Sequence, residues 1–312
     1  MFGRLKDKNI GILITDEKGS TERRETTFTI DTTDPIHINN PHYAVLNVEQ
    51  PGAALENTGF DGIALNTGEK YDFSIFARVP QAKSNKLQVR LVDGKGNVCG
   101  ETSLTVSSRQ WKTYKAVITA KATADTHLEI IPQSVGELNL DMISLFPQNT
   151  FKGRKNGLRK DLVQALYDIK PGVFRFPGGC IVEGTDEATR YEWKKPVGAV
   201  ENRPLNENRW HYTFKHRFFP DYFQTYGLGF FEYFQLSEDI GAEPLPILNC
   251  GLVCQYQNDP DQQVSLSKLD SYIQDALDLI EFANGDVTTT WGKCSCGYGT
   301  SCSLQLEVLG YW

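Results

Sequence analysis

The stretch RFPGGCIVEG, Arg175 to Gly184, ends a short apolar run with a proline and two glycines, then supplies a thiol and a carboxylate. Gly178 and Gly179 carry no side chain, so a ligand or another backbone segment can come close to the main chain there. Cys180 places a small polarizable sulfur beside that opening, or else fills the core as a buried thiol. Glu183 can accept hydrogen bonds from sugar hydroxyls, or orient its own loop. Trp193 and Trp210 offer flat apolar faces of the kind on which sugar rings stack, although loop tryptophans also serve as packing anchors. Asn249, at the end of a second apolar run and before Cys250-Gly251, points toward the same mouth or makes a turn. Gly178, Gly179, Cys180, Glu183, Trp193 and Asn249 are therefore the candidate contacts along one wall of a ligand pocket, for which a sugar is one fitting occupant. Glu232, inside an aromatic run, reads as a solvated or helix-end carboxylate.

Metal chemistry has weaker support. The seven cysteines are Cys99, Cys180, Cys250, Cys254, Cys294, Cys296 and Cys302, an odd number that does not suit a disulfide framework. Cys294, Cys296 and Cys302 lack a fourth ligand and the usual two-residue gap of a zinc site. Cys250 and Cys254 read as a neutral loop pair, so no metal and no organic cofactor is expected. A formal charge of -7 argues against nucleic acid as a partner. Small basic clusters such as Lys194-Lys195 read as solvated faces. No window approaches the ~18–20 consecutive apolar residues of a membrane-spanning helix, so no membrane partner is expected. The N-terminal segment has charges within its apolar run and no convincing cleavage site, so no leader is expected either.

The elements that must hold these residues fall into two kinds. From about Thr26 to Phe146 the apolar pattern has period two: Tyr71, Phe73, Ile75, Ala77 and Val79 share one face, as do Leu87, Val89 and Leu91. The glycines of DGKGN (93–97) predict a hairpin, and strands recurring about every ten residues predict a β-sandwich. Beyond residue 149 the period becomes helical. A helix is expected over 156–169, capped by Asn156 and presenting Leu158, Leu162, Val163, Leu166 and Ile169 to a core. A second is expected over 229–240 with Gly241 after it. A third carries Leu269, Tyr272, Ile273, Ala276, Leu279, Ile280 and Ala283 on its inner stripe. Short strands at VFRFP and PLPILNCG alternate with them, and long loops follow the strands. That alternation predicts an α/β part, about half of a (β/α)8 barrel, whose functional loops follow the strands' carboxyl ends.

VFRFPGGCIVEG and GFFEYFQLSEDIGAEPLPILNCG, with RYEWKKPVG between them, resemble the α-L-arabinofuranosidases of glycoside hydrolase family 51, over about 40–291. The resemblance is to the branch with an inserted β-sandwich similar to a carbohydrate-binding module. It implies retaining hydrolysis of terminal α-L-arabinofuranosyl residues from arabinan or arabinoxylan, without a cofactor. It also implies a sugar beside Cys180, relatives that form homo-oligomers, and relatives that are often periplasmic or extracellular.

The fold class expected is thus α/β plus all-β, a partial (β/α)8 barrel preceded by a β-sandwich. The divisions are 1–25, an atypical N-terminal segment; 26–148, the sandwich; 149–291, the first part of the barrel; and 292–312, an aberrant tail of the kind a shifted reading frame produces. In the family the acid/base glutamate follows a Gly-Asn pair and the nucleophile glutamate comes later. No Gly-Asn-Glu occurs after Trp291, and the one late glutamate is Glu307, in LQLEVLGYW. The chain is therefore expected to be inactive by itself. The alternative is a non-catalytic carbohydrate-binding protein acting through the sandwich, with His42, Tyr43 and Phe60 as its aromatic contacts.

Overall fold

The computed structural model describes residues 14–15, 26–81, 83–208, 223–254, 263–296 and 310–311. The chain divides into two compact units, Met1–Leu162 and Val163–Trp312.

The first unit is a β-sandwich-like domain of two sheets. One contains β1 (Ile14–Thr15), β4 (Ala54–Asn57), β5 (Ile63–Leu65), β7 (Asn85–Asp93), β8 (Val98–Val106) and β10 (Ala124–Pro132). Its order is β1-β4-β10-β7-β8, with β5 also paired to β10. The other runs β2 (Thr26–Asp31), β3 (Tyr43–Val48), β11 (Gly136–Pro147), β6 (Lys70–Arg78), β9 (Lys112–Thr119). The period-two pattern produces this directly. Phe73, Ile75, Ala77 and Val79 on one sheet, and Leu87, Val89 and Leu91 on the other, are at most 1% exposed and belong to one core. The expected hairpin forms between β7 and β8, Asp93 Oδ1 accepting from the Lys95 and Asn97 amides, with Gly96 at φ 85°.

The boundary between units falls at residue 162, later than the 148 expected. Residues 148–159 stay bonded to the first unit. The Gln148 amide donates to the Lys70 carbonyl, Asn149 Nδ2 donates to Glu69 Oε1 at 2.8 Å, and Thr150 bridges Arg159. For the same reason α1 is shorter than its pattern, Lys160–Ile169, and Asn156 lies in a turn at φ 53° rather than capping it. Only Val163 of its apolar stripe is buried; Leu162, Leu166 and Ile169 are exposed.

The second unit holds a parallel sheet of β12 (Val173–Phe176), β15 (Glu243–Leu248) and β16 (Gly310–Tyr311), in that order. Between β12 and β15 come α2 (Gly179–Glu183), the short antiparallel pair β13 (Asn206–Glu207) and β14 (Phe223–Gln224), and α3 (Phe230–Ile240). α4 (Leu269–Asn284) and α5 (Thr290–Cys296) precede β16. α3 starts and stops as its sequence requires. The Gly229 amide donates to Glu232 Oε2 at 2.7 Å, closing the first turn, and Gly241 takes the left-handed C-cap at φ 72°. Phe176 meets Phe230 and Phe234 edge to face at 5.3 and 5.4 Å, and the cluster extends through Tyr191, Trp193, Tyr226 and Phe282. α4 buries Tyr272, Ala276, Leu279 and Ala283 as expected and adds Phe282, but Ile273 and Ile280 are exposed. A helical period identifies an apolar face; it does not say that a neighbour covers all of it. The helix α5 runs across the division expected after Trp291.

Candidate functional site

The site is built from the chain that follows β12 and the chain that follows β15. β12 ends at Phe176, and after Pro177 the backbone turns sharply through Gly178 at φ 124°, ψ -172°. An L side chain rarely adopts that conformation, and a Cβ built there would meet nothing within 4 Å. The glycine therefore serves the turn, and it leaves the mouth open. Gly179 is the first residue of α2, which replaces the open loop expected here. One helical turn places Cys180 and Glu183, three residues apart, on the same side. Gly184 then ends α2 at φ 72°, where a Cβ would lie 2.5 Å from the Arg190 amide nitrogen. Only glycine combines that φ with that approach.

The second segment is tied onto the first by backbone bonds. Asn249 Nδ2 donates to the carbonyls of Val182 and Leu252, each at 3.0 Å, and its Oδ1 accepts from the Gly251 amide at 2.6 Å. The Cys254 amide donates to the Gly184 carbonyl at 3.2 Å. Asn249 is thus a buried tie between segments, the turn role rather than a sugar contact, because both ends of its amide are already engaged. The consequence is a convergence that sequence spacing did not reveal. Sulfur and oxygen atoms of Cys180, Glu183 and Cys254 lie within 4.8 Å of one another. Cys180 is half-buried, Cys254 is fully buried and Glu183 is 6% exposed. Among the described residues, Glu183 Oε2 has no hydrogen-bond partner. Cys254 thus joins a group whose other members lie some seventy residues earlier in the chain.

Trp193 is not a stacking platform. It is 2% exposed, its Nε1 donates to the Asp275 carbonyl at 3.0 Å, and it packs against Phe282 and Trp291 with ring centroids 5.4 and 5.0 Å apart. The aromatic core wins over solvent because a buried indole gains both contact area and a partner for its N–H. Trp210 and Glu307 lie outside the described residues. In the sandwich, Tyr43 is also buried, its hydroxyl donating to Asp31 Oδ2 at 2.8 Å and its ring meeting Trp111 edge to face. Arg78 lies over both rings, pairs with Asp34 and leaves Tyr43 no free face for a glycan. His42 is half-buried and Phe60 is exposed.

Two basic groups in this unit, Arg203 and Lys194, are structural. Arg203 is 1% exposed; it donates to the carbonyls of Gly198 and Tyr226 and to Glu232 Oε1 at 2.7 Å. Glu232 thereby holds both Arg203 and the first turn of α3. Lys194 is not a solvated lysine. Its ammonium donates to Asp275 Oδ1 at 2.6 Å and to Asp278, and it lies over the ring of Trp291. Burial pulls the Lys194 pKa down, but the two carboxylates outweigh it and hold the group above its usual value. Burial raises Asp278, and the bonds from Lys194 and Gln274 more than reverse this, leaving it below the usual carboxylate range.

A depressed carboxylate stabilises the fold above its unfolded pKa of about 3.9, and that contribution is lost as pH falls toward the folded value. The raised lysine acts oppositely: its contribution is present below the unfolded value of about 10.4 and is lost above the folded one. Lys194→Met is expected to cost the second unit about 1–2 kcal/mol at neutral pH, between the values for exposed and buried pairs. It should also flatten the loss of stability as pH falls below the unfolded carboxylate value of about 3.9. Urea unfolding followed by tryptophan fluorescence at a series of pH values measures both; an unchanged acid limb would show that the pair does not contribute.

Comparison with known proteins agrees with this architecture. Residues 165–307 match the family model of the alpha-L-arabinofuranosidase 1 domain, past the division expected after Trp291. An extracellular exo-alpha-L-arabinofuranosidase of Streptomyces chartreusis is 39% identical over 271 residues, 83% of this chain and 31% of the relative. Alpha-L-arabinofuranosidase 1 of Arabidopsis thaliana is 32% identical over 264 residues, 83% of this chain and 36% of the relative. Among solved structures, the arabinose-bound MgGH51 α-L-arabinofuranosidase aligns with a TM-score of 0.84 at 26% identity, over 97% of this chain and 47% of that one. The chain thus spans about a third of the length of these two sequence relatives and about half of the structural one. With the two motifs on the strand ends they predict, the chain is similar over most of its own length to α-L-arabinofuranosidases of the glycoside hydrolase family 51 type.

Proposed function

We propose that this chain supplies the accessory sandwich, about 26–148, and the first strands and helices of a (β/α)8 barrel in a retaining exo-acting α-L-arabinofuranosidase. In this reading the turn at Gly178-Gly179 and the half-buried sulfur of Cys180 form one wall of the pocket for a terminal α-L-arabinofuranosyl residue of arabinan or arabinoxylan. The observation that carries it is the alignment over 97% of the chain with an arabinose-bound arabinofuranosidase. It is supported by the open space at Gly178, where a side chain would stand between backbone and ligand.

Retention requires a nucleophile and an acid/base carboxyl roughly 5–5.5 Å apart. At the mouth described here Glu183 has two thiols beside it rather than a second carboxylate. The chain's own groups bind and shape the pocket, whereas cleavage needs a carboxylate pair that no Gly-Asn-Glu after Trp291 provides. Purified chain incubated with 4-nitrophenyl α-L-arabinofuranoside is expected to release no nitrophenol above the blank. Turnover that scales with the amount of chain and co-elutes with it would overturn this part of the reading.

A further inference from the structure

We propose that Cys180, Glu183 and Cys254 form a binding site for a thiophilic divalent cation, with zinc as the expected occupant. The donor set is two sulfurs and one carboxylate oxygen, all within 4.8 Å of one another. Tetrahedral zinc with bonds of about 2.3 Å to sulfur and 2.1 Å to oxygen requires ligand separations of about 3.6–3.8 Å. The three groups therefore need to draw in by roughly 1 Å at most, a movement within reach of side-chain rotation. Cys180 and Glu183 come from one turn of α2, and Cys254 is fixed opposite them by its amide bond to the Gly184 carbonyl. The tripod is thus held by backbone on two sides.

A second observation points independently to a ligand. Glu183 is 6% exposed and, among the described residues, its Oε2 has no hydrogen-bond donor. A buried carboxylate oxygen without a donor or cation is costly, and polar atoms so placed are rare. A cation among the two sulfurs supplies the missing partner. The other converging group, Glu56, His127 and Glu129 in the sandwich, lacks this feature. There Arg90 already donates to Glu129 Oε2 at 2.9 Å, so the cluster carries its own cation.

Binding forms two metal–sulfur bonds and one metal–oxygen bond. The two thiol protons leave to solvent, and the metal's fourth position stays open to water. Cys180 is the accessible member of the three, so the metal enters along its side. The ion would cross-link the segment after β12 to the segment after β15, which bonds from Asn249 and Cys254 already join. None of this depends on the glycosidase reading, because the test follows the metal and not a sugar.

The full chain, purified under reducing conditions and stripped with a chelator, would be titrated with zinc and separately with cobalt(II). One equivalent of zinc and a thiolate-to-cobalt charge-transfer band are expected. Cys180→Ser and Cys254→Ser should each abolish the band, and Glu183→Gln should weaken binding by roughly 10- to 100-fold. Cys99→Ser and Cys250→Ser should leave it unchanged. A band that persists in both Cys180→Ser and Cys254→Ser would place the metal on other thiols and overturn the proposal. So would a wild-type chain with native circular dichroism and no band, or a Cys180–Cys254 disulfide found by peptide mass mapping in its place.

Discussion

Arg203→Ala is expected to cost the Val163–Trp312 unit about 3–5 kcal/mol, the loss typical when one member of a buried ion pair is removed. The size follows from what the guanidinium satisfies. Its Nε and Nη2 bond the Gly198 carbonyl, Nη1 bonds the Tyr226 carbonyl, and Nη2 also bonds Glu232 Oε1. Alanine would leave two carbonyls and a carboxylate facing a cavity where a 1% exposed side chain had been. That loss is a large part of the ~5–15 kcal/mol that holds an ordinary domain together. Glu232→Ala would be damaging for a second reason, because the same carboxylate accepts the Gly229 amide and closes the first turn of α3. Trp193 and Trp291 report on this unit and Trp111 on the sandwich, so denaturant unfolding of single-tryptophan variants separates them. The sandwich transition should be unchanged. A loss below about 1 kcal/mol would mean that Arg203 behaves like a surface ion pair.

The second large effect is expected at Gly178, in a chimaera joining residues 1–296 to the part of the Streptomyces chartreusis relative that follows its matched span. There Gly178→Val should lower kcat/KM on an arabinofuranoside by roughly 100-fold or more. Two causes act together. Valine at φ 124° costs on the order of 1–3 kcal/mol of backbone strain. Its branched side chain would also project into the space that the glycine leaves open, and displacing a reacting sugar by even ~1 Å can cost about 100-fold in rate. Gly184→Ala is the control for strain without obstruction. Its Cβ would strike the Arg190 backbone rather than open space, so it should lower stability more than it changes KM. Equal kinetics for chimaeras with and without the Gly178 substitution would remove this turn from the pocket wall.

The strands of the sandwich were legible because alternation of apolar residues is enforced by the pleat, and residues such as Phe73, Ile75, Leu87 and Val89 had nowhere else to go. Sheet order was not legible, since it depends on pairings between strands far apart in sequence, such as β11 with β3 and β6. The helices were placed by period and caps, yet the exposure of Leu162, Leu166, Ile273 and Ile280 depends on neighbours the period does not encode. In the site, the glycine turn and the positions of Cys180 and Glu183 could be read from one short stretch. Trp193 and Asn249 could not, because the indole and the amide were each consumed by partners remote in sequence, Asp275 and Val182. Cys254 was missed for the same reason. Its neighbours in the group belong to a turn of helix at another strand's end. Lys194 read as a solvated surface cation and Arg203 drew no reading at all, because only the fold surrounds them with acceptors.

The central proposal is that the turn after β12 forms one wall of an arabinofuranose pocket. The measurement that tests it most directly is kcat/KM of the folded chimaera on the 4-nitrophenyl α-L-arabinofuranoside, β-D-xylopyranoside and β-D-glucopyranoside. Hydrolysis of the arabinofuranoside alone, lowered roughly 100-fold or more by Gly178→Val, is the predicted result. A folded chimaera that prefers either pyranoside, or that cleaves none of the three while retaining the circular dichroism of its parts, would contradict it.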